Sequence, residues 1–239
     1  MTSPLISYKK LIDRNILIHD NLQENFIQSI DSLYKDLSKY QHEFNKIFNW
    51  RWLPIFDSKD RNIPKSLYTY GGVGIGKTMF MDMLAESVPK ISLRMHFHEL
   101  MRDVHLELNR SRKSSKGSLE NPINKVVDKI CNKKILVCID EMEIRDIADA
   151  MIIDKVFKRM FETGLVVFTT SNRPPSDLYK DGLQRERFMP FINLIKKKMK
   201  VINLDIPRDY RRGRIVGEKI FFTPIHSNTT KSIDEIWRK

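Results

Sequence analysis

Three features of the 239-residue sequence predict an α/β fold with a parallel sheet. Short apolar runs of the kind buried on both faces alternate with amphipathic helical segments. A glycine-rich turn joins the first such run directly to a helix. The later runs end in polar residues, Asp140-Glu141 and Ser171-Asn172, which places reactive groups at strand tips.

The elements follow in order. Residues 1–60 read as a helical N-terminal segment, with Leu22, Phe26, Ile30, Leu33, Leu37 and Phe44 at helical spacing. Trp50, Trp52 and Phe56 cluster beside Pro54 and are expected to pack against the next domain. That domain spans residues 61–207 and starts with the β-prone run Ser66 to Tyr70. A helix over Thr78 to Val88 carries Phe80, Met83 and Leu84 on one face. Ser111 to Ser118 is polar and basic and reads as a loop. Asn121 suits an N-cap with Pro122 at the first helical position, and Ile123, Val127 and Ile130 share a face. Ile135 to Ile139 is a buried strand, and Asp146 to Phe161 a helix with Ala148, Met151, Ile152, Val156 and Phe157 as its apolar side. Gly164 ends that helix, and Leu165 to Thr170 is the next strand. Residues 208–239 form a basic C-terminal remnant.

Composition narrows the class. The chain is 41% hydrophobic and 30% charged, as in soluble globular proteins. Its apolar runs fall well short of the roughly 20 residues a membrane span needs. The first 30 residues mix Lys9, Lys10 and Arg14 with Asp13, Asp20 and Glu24, which fits no targeting signal. Two cysteines, Cys131 and Cys138, make no disulfide framework and suggest a reducing compartment. The net charge is +12, and residues 195–239 contribute +7 of it, from 12 Lys or Arg against 5 Asp or Glu. Such a tail suits nucleic acid, anionic lipid or an acidic protein, or simply a solvated surface.

Four motifs carry chemistry. Gly71-Gly72-Val73-Gly74-Ile75-Gly76-Lys77-Thr78 fits the phosphate-binding pattern G-x-x-x-x-G-K-[ST]. Glycines let backbone N–H groups turn inward around phosphates, and the following helix directs its positive end at them. Lys77 is expected to reach the β- and γ-phosphates and Thr78 to hold Mg²⁺, with Met79 completing the nucleotide-binding set. Asp140 and Glu141 follow an apolar strand, 63 residues after Lys77. Asp140 would complete the Mg²⁺ shell, and Glu141 would orient and deprotonate the attacking water. Asn172, at the tip of the next strand, is placed to polarise that water or the γ-phosphate. Arg185 and Arg187 lie where an arginine can reach the γ-phosphate of a neighbouring subunit. The cofactors implied are ATP and Mg²⁺.

With these residues in place, the chain resembles the Afg-one-like ATPases, the AAA+ family that includes bacterial ZapE. The resemblance covers about residues 4–222. It is carried by PLISYKKLIDRN (4–15), YTYGGVGIGKTMFMDM (68–83), RMHFHELMRDVH (94–105), CIDEMEIRDIADAM (138–151) and TSNRPPSDLYKDGLQRERFMPF (170–191). It implies a three-layer AAA+ domain, a homo-oligomeric ring and ATP-driven work on protein substrates. For eukaryotic members it implies mitochondrial quality control in the matrix or peripherally at the inner membrane; a bacterial member would be cytoplasmic. Matched residue by residue, Lys77 and Thr78 fall in Walker A, Asp140 and Glu141 in Walker B, and Asn172 at sensor 1. Arg185, in the shared Gly-Leu-Gln-Arg stretch, is the first arginine-finger candidate and Arg187 the second.

Two departures stand out. Met142-Glu143 replace the family's usual Phe-Gln, and the chain stops at Lys239, short of the family's usual extent past Asp209-Tyr210-Arg211. His96, His98 and His105 lack convincing co-ligands for a metal site, and a structural or substrate-facing role is expected. Three functional classes remain open: an ATP-driven protein-remodelling enzyme, a nucleic-acid-associated ATPase of helicase-loader type suggested by Lys196-Lys197-Lys198, and a nucleotide-gated adaptor without turnover.

Overall fold

Five parallel strands, β1 (Ser66–Tyr70), β2 (Ser92–His96), β3 (Leu136–Asp140), β4 (Val166–Ser171) and β5 (Met199–Asn203), form one sheet in the order β2-β3-β4-β1-β5. The computed structural model describes residues 2–48, 62–113, 121–130 and 134–205. The Trp50–Phe56 cluster, Cys131, residues 114–118 of the polar loop, both expected domain boundaries and the basic segment beyond residue 205 lie outside them.

Helices cover both faces. The N-terminal α1 (Pro4–Asp13) and α2 (Asn21–Phe48) lie with α3 (Lys77–Ser87) on one side. The other side carries α4 (Phe97–Lys113), α5 (Pro122–Ile130), α6 (Ile147–Glu162) and α7 (Met189–Lys198). Strand alternation explains the two cores. Leu67, Leu136, Cys138, Val166 and Phe168 point toward α1–α3, whereas Tyr68, Val137, Ile139 and Val167 point toward α4–α7. Both faces of the sheet are thus apolar, so the strands read as continuous hydrophobic runs.

Local chemistry sets the helix ends. Ser3 caps α1, its Oγ accepting from the Ile6 N–H. Asn121 Oδ1 accepts from the Ile123 N–H at 3.0 Å, and Asp146 caps α6 through the Ala148 N–H at 2.6 Å. The turn from β2 into α4 is immediate, closed by the His96 N–H donating to Glu99 Oε2 at 2.8 Å. Lys196, Lys197 and Lys198 form the last turn of α7, where cations are favoured by the helix dipole.

The structure corrects three local expectations. Ser111, Arg112 and Lys113 are helical, because α4 runs one turn further than its polar composition suggests. On α6 the buried face is Ala150, Ile153, Val156, Phe157 and Met160. Ala148 is exposed, and Met151 and Ile152 are only partly buried. Tertiary packing against α5 and α7 rotates the face away from the one periodicity picks out. Leu22 at the start of α2 is half exposed rather than core.

The N-terminal helices share their core with α3. Phe80, fully buried, meets Tyr8 at a ring-centroid distance of 5.8 Å and Phe26 edge-on at 5.0 Å. Tyr40 OH, near the other end of α2, donates to the Gly164 carbonyl at 2.9 Å. Replacing Phe80 with Ala is expected to cost about 3–5 kcal/mol, measured by urea unfolding, because three elements lose packing around one cavity.

Candidate active site

The strands all end on one edge of the sheet, and parallel sheets bind ligands beyond their carboxyl ends. The Gly71–Thr78 loop leaves β1 there and runs directly into α3. Gly76 caps α3 at φ 90°, a left-handed conformation costly for any other residue. At Gly71 a Cβ would stand 2.5 Å from Ile75 Cδ1 and 3.0 Å from the Leu204 backbone. The loop is braced from two sides. Gln23 of α2, buried and bonded by Tyr8 OH, donates to the Ile75 carbonyl at 3.5 Å. Asp205, just past β5, accepts from the Gly72 N–H at 3.1 Å. Val73 at the loop tip is exposed, and Met79 packs beneath the loop against the N-terminal core.

Lys77 arches back over this loop. Its Nζ donates to the Gly71 and Gly72 carbonyls, each at 2.7 Å, and to Asn172 Oδ1 at 3.0 Å. The lysine and the strand-tip asparagine predicted from separate motifs are therefore in direct contact. That contact requires β4 to lie next to β1, as it does, with Tyr70 opposite Ser171. Tyr68 OH donates to the Arg173 carbonyl at 2.8 Å and fixes the chain just after Asn172.

Asp140 is 1% exposed at the tip of β3. A buried carboxylate is tolerated only when its lone pairs are taken up. Here Oδ1 accepts from Thr78 Oγ1 at 3.3 Å, from the Glu141 N–H at 3.1 Å and from Thr170 Oγ1, while Oδ2 accepts from Arg94 Nη2 at 2.9 Å. Thr170 Oγ1 also accepts the Glu141 N–H at 2.9 Å. Glu141 has φ 56°, which turns its N–H back onto these two oxygens and leaves the residue exposed above them. The Met142 N–H donates to the Thr170 carbonyl at 2.7 Å, and Ser171 Oγ donates to the Met142 carbonyl at 2.9 Å, so the turn after β3 is zipped to β4. Met142, the first residue of the Met142-Glu143 departure from the family pattern, is itself buried.

Glu141 and Asn172 line a cavity of about 650 Å³, whose walls also include His98, Arg145, Arg173 and Lys180. Neither arginine-finger candidate lines it. Arg185 Nη1 donates to the Leu178 carbonyl at 3.0 Å and Nη2 to that of Ser176, so this guanidinium braces its own loop. Arg187 is exposed. The structure therefore unites Lys77, Thr78, Asp140, Glu141 and Asn172, and leaves both arginines outside that network. Sequence reasoning missed Arg94 and Thr170. Thr170 has a legible signal, a hydroxyl two residues before Asn172 on a buried strand; Arg94 has none, since its partners are distant in sequence.

His96 and His98 stack at 5.5 Å, while His105 pairs with Asp149 at 2.6 Å, linking α4 to α6. Among the described residues no His, Cys, Asp and Glu group is clustered to hold a metal by itself. Burial pushes the Cys138 thiol well above the usual range, as expected of an inert core cysteine.

This fold and site define a P-loop nucleotide-binding domain. The chain belongs to the AFG1-like ATPase family, whose model matches residues 2–239. It is 32% identical over 260 residues to an uncharacterised protein of Schizosaccharomyces pombe, covering 98% of this chain and 57% of that protein. It is 31% identical over 246 residues to the cell division protein ZapE of Escherichia coli, covering 98% of this chain and 63% of ZapE. Lactation elevated protein 1 homolog B of Danio rerio is 40% identical over 162 residues, covering 65% of this chain and 32% of that protein. The chain thus spans less than two thirds of the length of these relatives. Among solved structures, DnaI matches with TM-score 0.52 at 17% identity, covering 80% of this chain and 88% of DnaI. AMPPCP-bound DnaA from Aquifex aeolicus matches with TM-score 0.50 at 10% identity, covering 84% and 53%. These two likenesses bear on the fold. Among the described residues no helix is long and apolar enough to cross a membrane.

Two substitutions test the geometry. Lys77→Ala is expected to weaken binding of a non-hydrolysable ATP analogue by about 10- to 100-fold, the range for a lost charge-assisted hydrogen bond, read by isothermal titration. Thr170→Val, which keeps shape but removes the hydroxyl, is expected to lower turnover by at least about tenfold with nucleotide affinity little changed, and Thr170→Ser to restore it.

Proposed function

We propose that this site binds ATP with Mg²⁺ and hydrolyses it, and that turnover drives remodelling, extraction or degradation of protein substrates. The observation that carries the reading is the meeting of three strand tips. Lys77 contacts Asn172, Thr78 contacts Asp140, and Glu141 stands exposed at the same edge.

The donor set suits Mg²⁺. Thr78 Oγ1 would hold the ion and Asp140 would complete its shell through water; both are hard oxygen donors, and so few protein ligands leave room for waters and phosphate oxygens. Bound there, Mg²⁺ supplies charge neutralisation on the β- and γ-phosphates. The chain's own groups do the rest. Backbone N–H groups of the loop and the start of α3 cradle the phosphates. Lys77 exchanges the Gly71 and Gly72 carbonyls for phosphate oxygens. Glu141 orients a water in line with the γ-phosphorus and takes its proton as the new P–O bond forms and the bond to the β-phosphate oxygen breaks. Asn172 fixes the γ-phosphate and that water. A neighbouring copy in a homo-oligomeric ring supplies an arginine, with Arg185 the first candidate and exposed Arg187 the second.

The family resemblance supports protein substrates, with a mitochondrial setting for a eukaryotic member and a cytoplasmic one for a bacterial member. ZapE, a relative, is a cell division protein of Escherichia coli, which is a different setting. A nucleic-acid-associated ATPase is the second reading, favoured by the net charge of +12.

Phosphate release from Mg-ATP is the deciding experiment. Glu141→Gln is expected to reduce it about 10²–10⁴-fold while ATP-analogue affinity stays within about threefold. Unchanged release in that variant rules out Glu141 as the base. Stimulation by single-stranded DNA that falls steeply with salt selects the second reading over protein remodelling.

A further inference from the structure

We propose that Arg94 is a positioning residue for the cation site, a strut that sets the spacing between Thr78 and Asp140. The inference rests on the reading of this site as a Mg-ATP site. Arg94 lies on β2 opposite Cys138, with His96 opposite Asp140, so Arg94 and Asp140 are diagonal neighbours on one face of the sheet. That face is the one covered by α3. Arg94 Nη2 donates to Asp140 Oδ2 at 2.9 Å. Its Nε sits against Asp82 Oδ1 of α3 as an ion pair whose N–H is not directed at the carboxylate.

Asp82 follows Thr78 by four residues, one turn along the same side of α3. A single guanidinium therefore ties the helix that presents Thr78 to the strand that presents Asp140. The two oxygens it holds in relation stand 3.3 Å apart. Its planar fork allows two partners at once, which a lysine cannot match at both ends. By holding Oδ2, Arg94 also leaves Oδ1 as the oxygen shared with Thr78, Thr170 and the Glu141 N–H. Outer-shell partners of this kind change metal affinity by about 10- to 100-fold when removed.

The test is a Mg²⁺ titration of the full chain with a fluorescent non-hydrolysable ATP analogue, alongside binding of the same analogue in EDTA. In Arg94→Gln the half-saturating Mg²⁺ concentration is expected to rise about tenfold or more, while metal-free affinity, held by the loop and Lys77, stays within about twofold. Arg94→Lys and Asp82→Asn are expected to shift the Mg²⁺ midpoint in the same direction by less, and they serve if Arg94→Gln does not fold. A midpoint that is unchanged in Arg94→Gln, or in Arg94→Lys and Asp82→Asn if Arg94→Gln does not fold, or that falls in any of the three, overturns the proposal; a fall in the Arg94 variants would mean that Arg94 only repels the cation. A parallel loss of metal-free affinity also overturns it, since that marks general disruption. A wild-type chain whose analogue binding ignores Mg²⁺ would instead overturn the Mg-ATP reading itself.

Discussion

The burial of one carboxylate constrains much of this molecule. Asp140 is shielded from solvent at the end of β3, and its charge is sustained by four donors that come from different places. Arg94 belongs to β2, Thr170 to β4, Thr78 to α3, and the Glu141 N–H to the turn after β3 itself. Only an order in which β3 lies between β2 and β4, with α3 on the Cys138 face, delivers all four. A strand exchange would remove one or more of these donors from a buried carboxylate, at a cost of about 1–3 kcal/mol or more. The strand order and the chemistry of the site are thus one constraint.

The phosphate loop depends on its surroundings in a similar way. A glycine-rich segment with positive φ gains little from local interactions and loses more chain entropy than other residues on becoming ordered. Its shape is imposed by contacts from outside: Gln23 on the Ile75 carbonyl, Asp205 on the Gly72 N–H, and the Leu204 backbone against Gly71. Through Tyr8, Phe26 and Phe80, the N-terminal helices share the core on which α3 rests. The N-terminal segment is part of the support for the nucleotide loop.

Two loops leave the reactive edge with different degrees of restraint. The turn after β3 is stitched to β4 by Met142, Ser171 and Thr170, which keeps Glu141 in place. The segment after β4 is held by Tyr68 at Arg173 and by Arg185 on the carbonyls of Ser176 and Leu178. Arg185 contributes order to its own loop, and a role toward a neighbouring copy requires those bonds to be exchanged.

The sequence by itself determined the alternation of strands and helices, the phosphate loop, and the identity of Lys77, Thr78, Asp140, Glu141 and Asn172 as a group. These signals are local. Apolar runs, caps such as Asn121 and Asp146, and glycine spacing each act within a few residues. Where packing decided, local pattern was insufficient: α6 buries Ala150 and Ile153 instead of Ala148 and Ile152, and α4 extends through Lys113. Only the tertiary structure decided that Lys77 meets Asn172, 95 positions away, and that Arg94 and Thr170 hold Asp140 from 46 and 30 positions away. Such partners share no periodicity; they meet because parallel strands must be joined by long crossovers, which separate neighbours in space by dozens of residues in sequence.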